Sequence, residues 1–403
     1  MLWPLKKMLY RTFNYSMRSG VKFMWLPTPT IYSGPGSVKK ISGAIESKGI
    51  DNVLVVTDKD LMGLGLLNGM LESLEISGIQ YTVFDGVQPN PTIQNVEDGL
   101  ALYLQNACQG IILFGGGSPM DCGKIIAARV KKPKKTVQKL RGWLKILRPL
   151  PPMFAVPTTA GTGSEVTIAA VISDPDTHEK FAVVDPFTVP RFAFFDPELM
   201  VGLPPHITST TGMDALTHAV ESYIGLHDVQ HVKTYAEKAT RLVFENLEDV
   251  YKDGTDLVKR EKMALASYYG GYAFTRASVG YVHAIAHTLG GLYGVPHGLA
   301  NAIILPHVLQ VSREKAEKKL ANLAIETGIG HFGEPEKQLS VRFINAVKTM
   351  NQNMDIPETI KEIKEEDIPL IAERALKEAN PMYPVPYLLN QKSCEELIGK
   401  LLP

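Results

Sequence analysis

Three of the ten histidines in this 403-residue chain, His283, His287 and His297, fall in one stretch, GYVHAIAHTLGGLYGVPHG. His283 and His287 are four residues apart, so on a helix they share a face, one turn above the other. His297 follows a Gly-Val-Pro break that can turn it back toward the same point. A single histidine in apolar sequence is better read as a hydrogen-bonded core residue. Three at this spacing point to a metal, because imidazole is the commonest ligand of borderline cations. Three ligands do not close a site. The stretch TGMDALTHAVESY holds a second such pair, Asp214 and His218. Alone, that pair is commonplace on helix surfaces. Beside His283 and His297 it completes a four-ligand set of nitrogen and oxygen donors without thiolate, which suits Fe(II), Zn(II), Co(II) or Ni(II).

Such ligands need helices to carry them. Beyond Pro204-Pro205 the chain reads as helical almost throughout, with segments at 211–224, 232–246, 257–277 and 281–293. Before that boundary, strand signals at 53–57, 80–84, 110–114 and 153–156 alternate with helical ones, which predicts a parallel sheet with helices on both faces. The expected architecture is a Rossmann-like α/β domain over residues 1–205, its first 25 residues a basic extension, then an all-helical domain over 206–403.

The third strand runs into Gly115-Gly-Gly-Ser-Pro-Met-Asp121 and then a helix. Glycines between a strand and a helix start let backbone N–H groups approach a phosphate, where the helix dipole also favours an anion. This is neither a GxGxxG fingerprint nor a Walker loop, and by itself it reads equally well as a tight turn. It gains weight from Pro157-Thr-Thr-Ala-Gly-Thr-Gly-Ser-Glu165 after the next strand, since two such loops suit a dinucleotide lying across the carboxyl edge of a sheet. Lys180, in a polar turn, can reach a phosphate or ribose. Asp58, ending the first strong strand, can accept from a ribose hydroxyl and repel a 2′-phosphate, which favours NAD over NADP. It can also simply cap a helix.

Composition sets the outer bounds. The length allows two domains, and 45% apolar with 21% charged residues is ordinary for a globular protein. Cys108, Cys122 and Cys394 form no CxxC pair, which argues against a disulfide framework and fits a reducing cytoplasm. No apolar run approaches the roughly 18 to 20 residues of a spanning helix, and nothing points to nucleic acid. The zero net charge is unevenly spread: residues 1–45 carry seven Lys or Arg and residues 129–148 carry nine, both without an acid. Trp3, Trp25 and Trp143 lie in these stretches, and Val137, Leu140, Leu144 and Leu147 make an apolar helical stripe among Lys139, Arg141, Lys145 and Arg148. Basic amphipathic segments with tryptophan are candidates for weak association with anionic membranes, here through 1–25 and 129–148. A surface helix with a solvated basic face is the commoner outcome. The first 25 residues also loosely resemble a basic transit peptide, but are read as retained.

Taken together, TDKDL, PNPT, GGGSPMD, AVPTTAGTGSE, EKFAVVDP, DPELMVGLPP, GMDALTHAVE and GYVHAIAHTLGGLYGVPHG, in this order over about residues 57–307, resemble the iron-containing (group III) alcohol dehydrogenase family. The resemblance implies a dehydroquinate synthase-like fold, with a catalytic divalent metal in a cleft between a nucleotide-binding α/β domain and an all-helical domain. By motif the ligands are Asp214, His218, His283 and His297, and His287 is the family's non-ligand histidine near nicotinamide and substrate. The cofactor residues are Asp58, Asn90, Gly116, Gly117, Ser118, Asp121, Thr158, Thr159, Thr162, Thr167, Lys180 and Leu199.

The implied activity is NAD(P)-dependent interconversion of small primary alcohols or diols with aldehydes, with Fe(II) (or Zn(II), Co(II) or Ni(II)), NAD(H) favoured, in a cytoplasmic homodimer. The metal would polarise the substrate oxygen, hydride would pass to or from nicotinamide, and His287 would relay the proton. Tyr268, Tyr272, Phe274 and Tyr281 are expected near a small, partly aromatic substrate pocket that admits ethanol, butanol, propanediol or lactaldehyde-type compounds. The basic stretches 1–25 and 129–150 depart from the family pattern. A glycerol dehydrogenase or dehydroquinate synthase-like enzyme of the same fold is the nearest rival. A metal-dependent hydrolase would need a carboxylate base beside the histidines, and residues 284–296 contain none.

Overall fold

In the computed structural model, which describes residues 3–23, 26–177 and 179–403, the chain forms two compact units. An α/β unit comprises Leu26–Leu203 and Gly254–Tyr268. A helical unit comprises Pro204–Asp253 and Tyr269–Pro403, together with the N-terminal helix α1 (Trp3–Phe23). After α1 come β1 (Thr30–Ser33), α2 (Ile41–Glu46), β2 (Asn52–Val56), α3 (Lys59–Gly63), α4 (Asn68–Ile76), β3 (Gln80–Phe84), α5 (Ile93–Gln105), β4 (Gly110–Gly115) and α6 (Gly117–Lys131). Then follow β5 (Gly142–Trp143), β6 (Met153–Pro157), β7 (Ala169–Asp174), β8 (Glu179–Val184) and β9 (Phe192–Phe195). The remaining helices are α7 (Pro205–Ile224), α8 (Gln230–Lys252), α9 (Leu257–Ala277), α10 (Tyr281–Tyr293), α11 (His297–Glu326), α12 (Glu336–Asn353), α13 (Ile368–Ala379) and α14 (Gln391–Gly399).

Six strands form one parallel sheet in the order β1-β9-β6-β4-β2-β3. Strand residues alternate between its two faces. Leu54, Val56, Ile111, Leu113 and Met153 join Val96, Ile125 and Ile126 of α5 and α6 on one side. Val53, Val55, Ile112, Phe114 and Phe154 join Ile41, Ile45, Met70 and Leu74 of α2 and α4 on the other. Near-continuous apolar strands are what a sheet covered on both faces requires. The chain leaves β2 outward to β3 and returns to β4 on the opposite side, so the order switches between β2 and β4. The crevice beyond the carboxyl ends at such a switch is where open α/β sheets bind ligands. The residues there are Thr57-Asp58 and Gly115-Gly116-Gly117. β7 and β8 form an antiparallel hairpin, to which β5 adds in parallel.

In the helical unit, α7 is buried from Gly212 to Ile224 and packs on α8 and α11. α10 packs on α11 and α13. Gly294 ends α10 with a left-handed φ of 71°, a conformation that costs a residue with a Cβ, and α11 starts three residues later at His297.

Two expectations need correction. Residues 129–148 are not an amphipathic helix: α6 stops at Lys131, one 3₁₀ turn covers Gln138–Leu140, and β5 follows. Leu144 and Leu147 hold φ of 56° and 49°, and the buried Asp185 carboxylate accepts from Ile146 N and Leu147 N, so local hydrogen bonding outcompetes the helix. The helical spacing of the leucines is incidental; Leu144 and Leu147 are exposed while Val137, Leu140 and Ile146 are buried.

The basic extension, expected with the α/β domain, belongs with the helical unit instead. Arg11 donates to Val385 O and Pro386 O, Asn14 to Pro381 O, and Arg18 pairs with Asp228 at 2.9 Å. Trp25 of that basic stretch, with Met1, Leu2 and Met24, lies outside the described residues. Conversely, 254–268 join the α/β unit, where Ser267 Oγ accepts from Gly163 N at 3.2 Å and Ser33 donates to Glu261.

Candidate functional site

Helix α7 carries Asp214 and His218 one turn apart, α10 carries His283 and His287 likewise, and His297 is the first residue of α11. One ligand atom from each of Asp214, His218, His283 and His297 lies within 4.8 Å of all the others. Asp214 Oδ1 is 3.5 Å from His297 Nε2, 3.8 Å from His283 Nε2 and 3.9 Å from His218 Nε2. These are too long for hydrogen bonds. They match atoms disposed around a common centre, since tetrahedral ligands at about 2.1 Å from a metal stand about 3.4 Å apart. Asp214, His218 and His283 are buried, and His297 is partly exposed, leaving one open side. Burial, then the neighbouring His218, His297 and His287, hold the His283 imidazole well below its ordinary pKa, in the neutral form a cation can use.

Asn301, one turn after His297, reports what the cluster lacks. Its Nδ2 donates to Asp214 Oδ1 at 2.6 Å and stands 3.3 Å from His283 Nε2 and 3.1 Å from His297 Nε2. Its buried Oδ1 has no partner. Several acceptors thus converge on a single donor group, with no Lys or Arg paired to Asp214 among the described residues. That is a site built for a positive centre, and the donor set fits the ferrous or zinc ion expected from sequence.

The two α10 histidines are wired alike but placed differently. His283 Nδ1 meets Glu221 Oε2 at 2.6 Å. His287 Nδ1 meets Glu378 Oε1 at 2.7 Å, and Tyr383 also donates to that oxygen. The His287 ring stacks on His297 at 5.1 Å and is 31% exposed, so it borders the cluster without joining it. Burial pushes the Glu221 carboxyl up to about 7, opposed by N–H groups of Gly280, Val282 and His283. Sequence reasoning passed over Glu221 and Asn301. The available signal was their spacing: Glu221 follows Asp214 and His218 on the same helical face, and Asn301 follows His297 by four.

In the α/β unit the two small-residue loops approach each other. Gly116 caps α6, and a Cβ on Gly116 would meet Thr159 Oγ1 at 3.3 Å, one on Gly117 Thr162 Cγ2 at 3.0 Å. Gly115, with φ 142°, could not carry a side chain without striking Pro119. Ser118 lies in the first turn of α6. Lys180 Nζ donates to Asn90 Oδ1 at 2.8 Å, and Asn90 is exposed. Asp58 caps α3 by accepting from Leu61 N at 2.9 Å, and burial raises its pKa.

Four of the expected cofactor residues point their side chains into the structure. Asp121 accepts from Ser164 Oγ and Val171 N, Thr167 Oγ1 receives Lys124 Nζ, and Thr158 and Leu199 are buried. Of the expected pocket aromatics, Phe274 stacks on His218 at 4.2 Å. Tyr281 is instead a core residue whose hydroxyl accepts from Leu389 N. Tyr272 lies against Tyr235 and Arg276, and Tyr268 against Phe195.

Known proteins resemble this chain along nearly its whole length. Residues 27–197 match the family described as iron-containing alcohol dehydrogenase, and residues 208–402 match its C-terminal region. The 1,3-propanediol dehydrogenase of Klebsiella pneumoniae is 39% identical over 93% of this chain and 95% of its own length. Lactaldehyde reductase of Escherichia coli (strain K12) is 36% identical over 86% and 91%. Among solved structures, a 1,3-propanediol oxidoreductase superposes with a TM-score of 0.89 at 37% identity, covering 94% of this chain and all of the other. The alcohol dehydrogenase of Oenococcus oeni gives 0.90 at 35% identity, covering 94% and 99%.

Proposed function

Because the chain belongs to the iron-containing alcohol dehydrogenase family, we propose that it interconverts a short primary alcohol or diol with its aldehyde, using NAD(H) and Fe(II). The convergence of three imidazoles and one carboxylate within 4.8 Å carries this reading. The names of its relatives, a propanediol dehydrogenase and a lactaldehyde reductase, favour small hydroxylated substrates. The hydrolase alternative is weaker, because Glu221 and Glu378, the carboxylates beside the histidines, are spent on their Nδ1 atoms.

In this reading Asp214, His218, His283 and His297 hold the cation. Divalent iron bound there supplies Lewis acidity toward the substrate oxygen. A bound nicotinamide would supply the hydride donor or acceptor for the carbinol carbon. His287 takes the hydroxyl proton at Nε2, Glu378 on Nδ1 stabilises the imidazolium, and the exposed edge of the ring returns the proton to water. The N–H groups of Gly116, Gly117 and Ser118, with Thr159 and Thr162, would hold the pyrophosphate at the start of α6. Lys180 and Asn90 reach the ribose or phosphates, while Asp121, Thr158, Thr167 and Leu199 fix the shape of the loops. Asp58, at the end of β2, accepts from the adenosine ribose and repels a 2′-phosphate, which favours NAD.

The test is nicotinamide absorbance with a panel of short aldehydes, NADH or NADPH, and protein loaded with Fe(II) or Zn(II). Turnover without metal would sink the assignment of the ligands. Equal rates with NADPH would sink that of Asp58. A cytoplasmic homodimer follows as an expectation of family membership, and light scattering reads the subunit number. Among the described residues no helix is long and apolar enough to cross a membrane. Trp143, Leu144 and Leu147 are exposed among Lys139, Arg141, Lys145 and Arg148, which supports weak attraction to anionic membranes. Absence of co-sedimentation with phosphatidylserine vesicles at low salt would end that idea.

A further inference from the structure

Glu221 takes no part in the reaction just described, yet its surroundings are specific. It projects from α7 onto the start of α10. Oε2 accepts from Gly280 N at 2.8 Å and faces His283 Nδ1 at 2.6 Å, while Oε1 accepts from Val282 N at 2.8 Å. A Cβ on Gly280 would lie 2.6 Å from Oε1, so the carboxylate is seated against bare backbone. We propose that Glu221 is a positioning residue: it fixes His283 as the Nδ1–H tautomer and thereby keeps the Nε2 lone pair directed at the cation. This rests on reading His283 as a metal ligand.

Neutral imidazole carries one proton, and which nitrogen holds it is set by the partner of the other. Both oxygens of Glu221 accept from backbone N–H groups, which favours the ionised carboxylate, and against a carboxylate Nδ1 must supply the hydrogen between itself and Oε2. Nε2 is then left with its lone pair, 3.8 Å from Asp214 Oδ1 inside the ligand cluster. A glutamine fills the same volume but cannot do this. With its amide nitrogen at the Oε2 position it would oppose the N–H of Gly280 and, by donating to Nδ1, move the imidazole proton to Nε2, where it blocks the cation. With the nitrogen at the Oε1 position it would oppose the N–H of Val282. Carboxylates behind metal-bound histidines generally raise affinity by about 10- to 100-fold.

The experiment uses the full chain and three proteins: wild type, Glu221→Gln and Glu378→Gln. Zn(II) affinity is measured by competition with a chromophoric chelator, and histidine tautomers by ¹⁵N NMR of the metal-free proteins. Glu221→Gln should bind Zn(II) about 10- to 100-fold more weakly, and Glu378→Gln within about twofold of wild type. His283 should be the Nδ1–H tautomer in wild type, and Glu221→Gln should show a measurable fraction of Nε2–H. An Nε2–H tautomer in wild type overturns the proposal even if the variant fails to fold. So does a Glu221→Gln protein that melts earlier but keeps both the affinity and the tautomer, because that is a merely structural role. If wild type binds no Zn(II), the ligand reading fails, and the wild-type tautomer still decides what Glu221 does to His283.

Discussion

Among the described residues two glutamates are fully buried, one in each unit, and their neighbours treat them oppositely. Glu221 in the helical unit finds N–H donors at both oxygens. Glu165 in the α/β unit has no partner for Oε1, and the nearby Lys124 spends its ammonium on Thr167 and Ala169. Burial pushes the Glu165 carboxyl up to about 7 and the Lys124 amine down to about 8. The contrast extends to the sites beside them. The helical unit presents side chains on regular helices, each held by another side chain. The α/β unit presents backbone at glycines, with some polar side chains, Asp121 and Thr167 among them, consumed in shaping loops. Losing one side chain should therefore be decisive in the first unit, whereas in the second the damaging change is to add one.

The largest effect is expected from Asp214→Ala or His283→Ala, which should lose bound metal and lower kcat by on the order of 10³-fold or more. Metal analysis alongside the nicotinamide assay checks both. His287→Ala should retain metal and lose about 10² in kcat, the range of a general acid or base. Full activity in that variant would remove His287 from proton transfer. Gly117→Val should raise KM for the dinucleotide about tenfold with metal content unchanged, because its side chain would enter the space of Thr162. If metal content fell too, the two units would not be separable.

The smallest effect concerns stability. A folded-state carboxyl raised to about 7 keeps a proton that the unfolded chain releases near 4.5, so Glu165 favours folding most below that lower value, and the advantage is lost as pH rises toward 7. Denaturant titrations between pH 4.5 and 7 should show wild type losing about 1–3 kcal/mol relative to Glu165→Gln. A flat difference would mean that Glu165 is ionised throughout.

How much could be read beforehand follows the same division. Asp214, His218, His283 and His297 were legible because helical spacing turns residue numbers into faces, and because Gly294 and the proline after it announce a turn. Glu221 escaped because a carboxylate late in a helix looks solvated until a neighbouring helix N-terminus is known to cover it. The strands were legible from their apolar runs, whereas the hydrogen bonds of Asp121 and Thr167 to Ser164, Val171 and Lys124 are pairings that only tertiary structure reveals. At 129–148 the helical spacing of four apolar residues misled, although Pro133 and Gly142 already interrupt it. The decisive competitor, Asp185, lies far along the chain.

The ligands come from helices distant in sequence: Asp214 and His283 alone are separated by 69 positions. An ion held by α7, α10 and α11 together is in effect a reversible cross-link closing a long loop. Closing such a loop is entropically costly for the unfolded chain and slow to achieve during folding. The ion binds only the chain that has already closed it, and a ligand selective for the native state at a hundred times its Kd adds about 2.7 kcal/mol. Metal supply would then govern the lifetime of the folded protein as well as its turnover, and loss of that metal would remove both together.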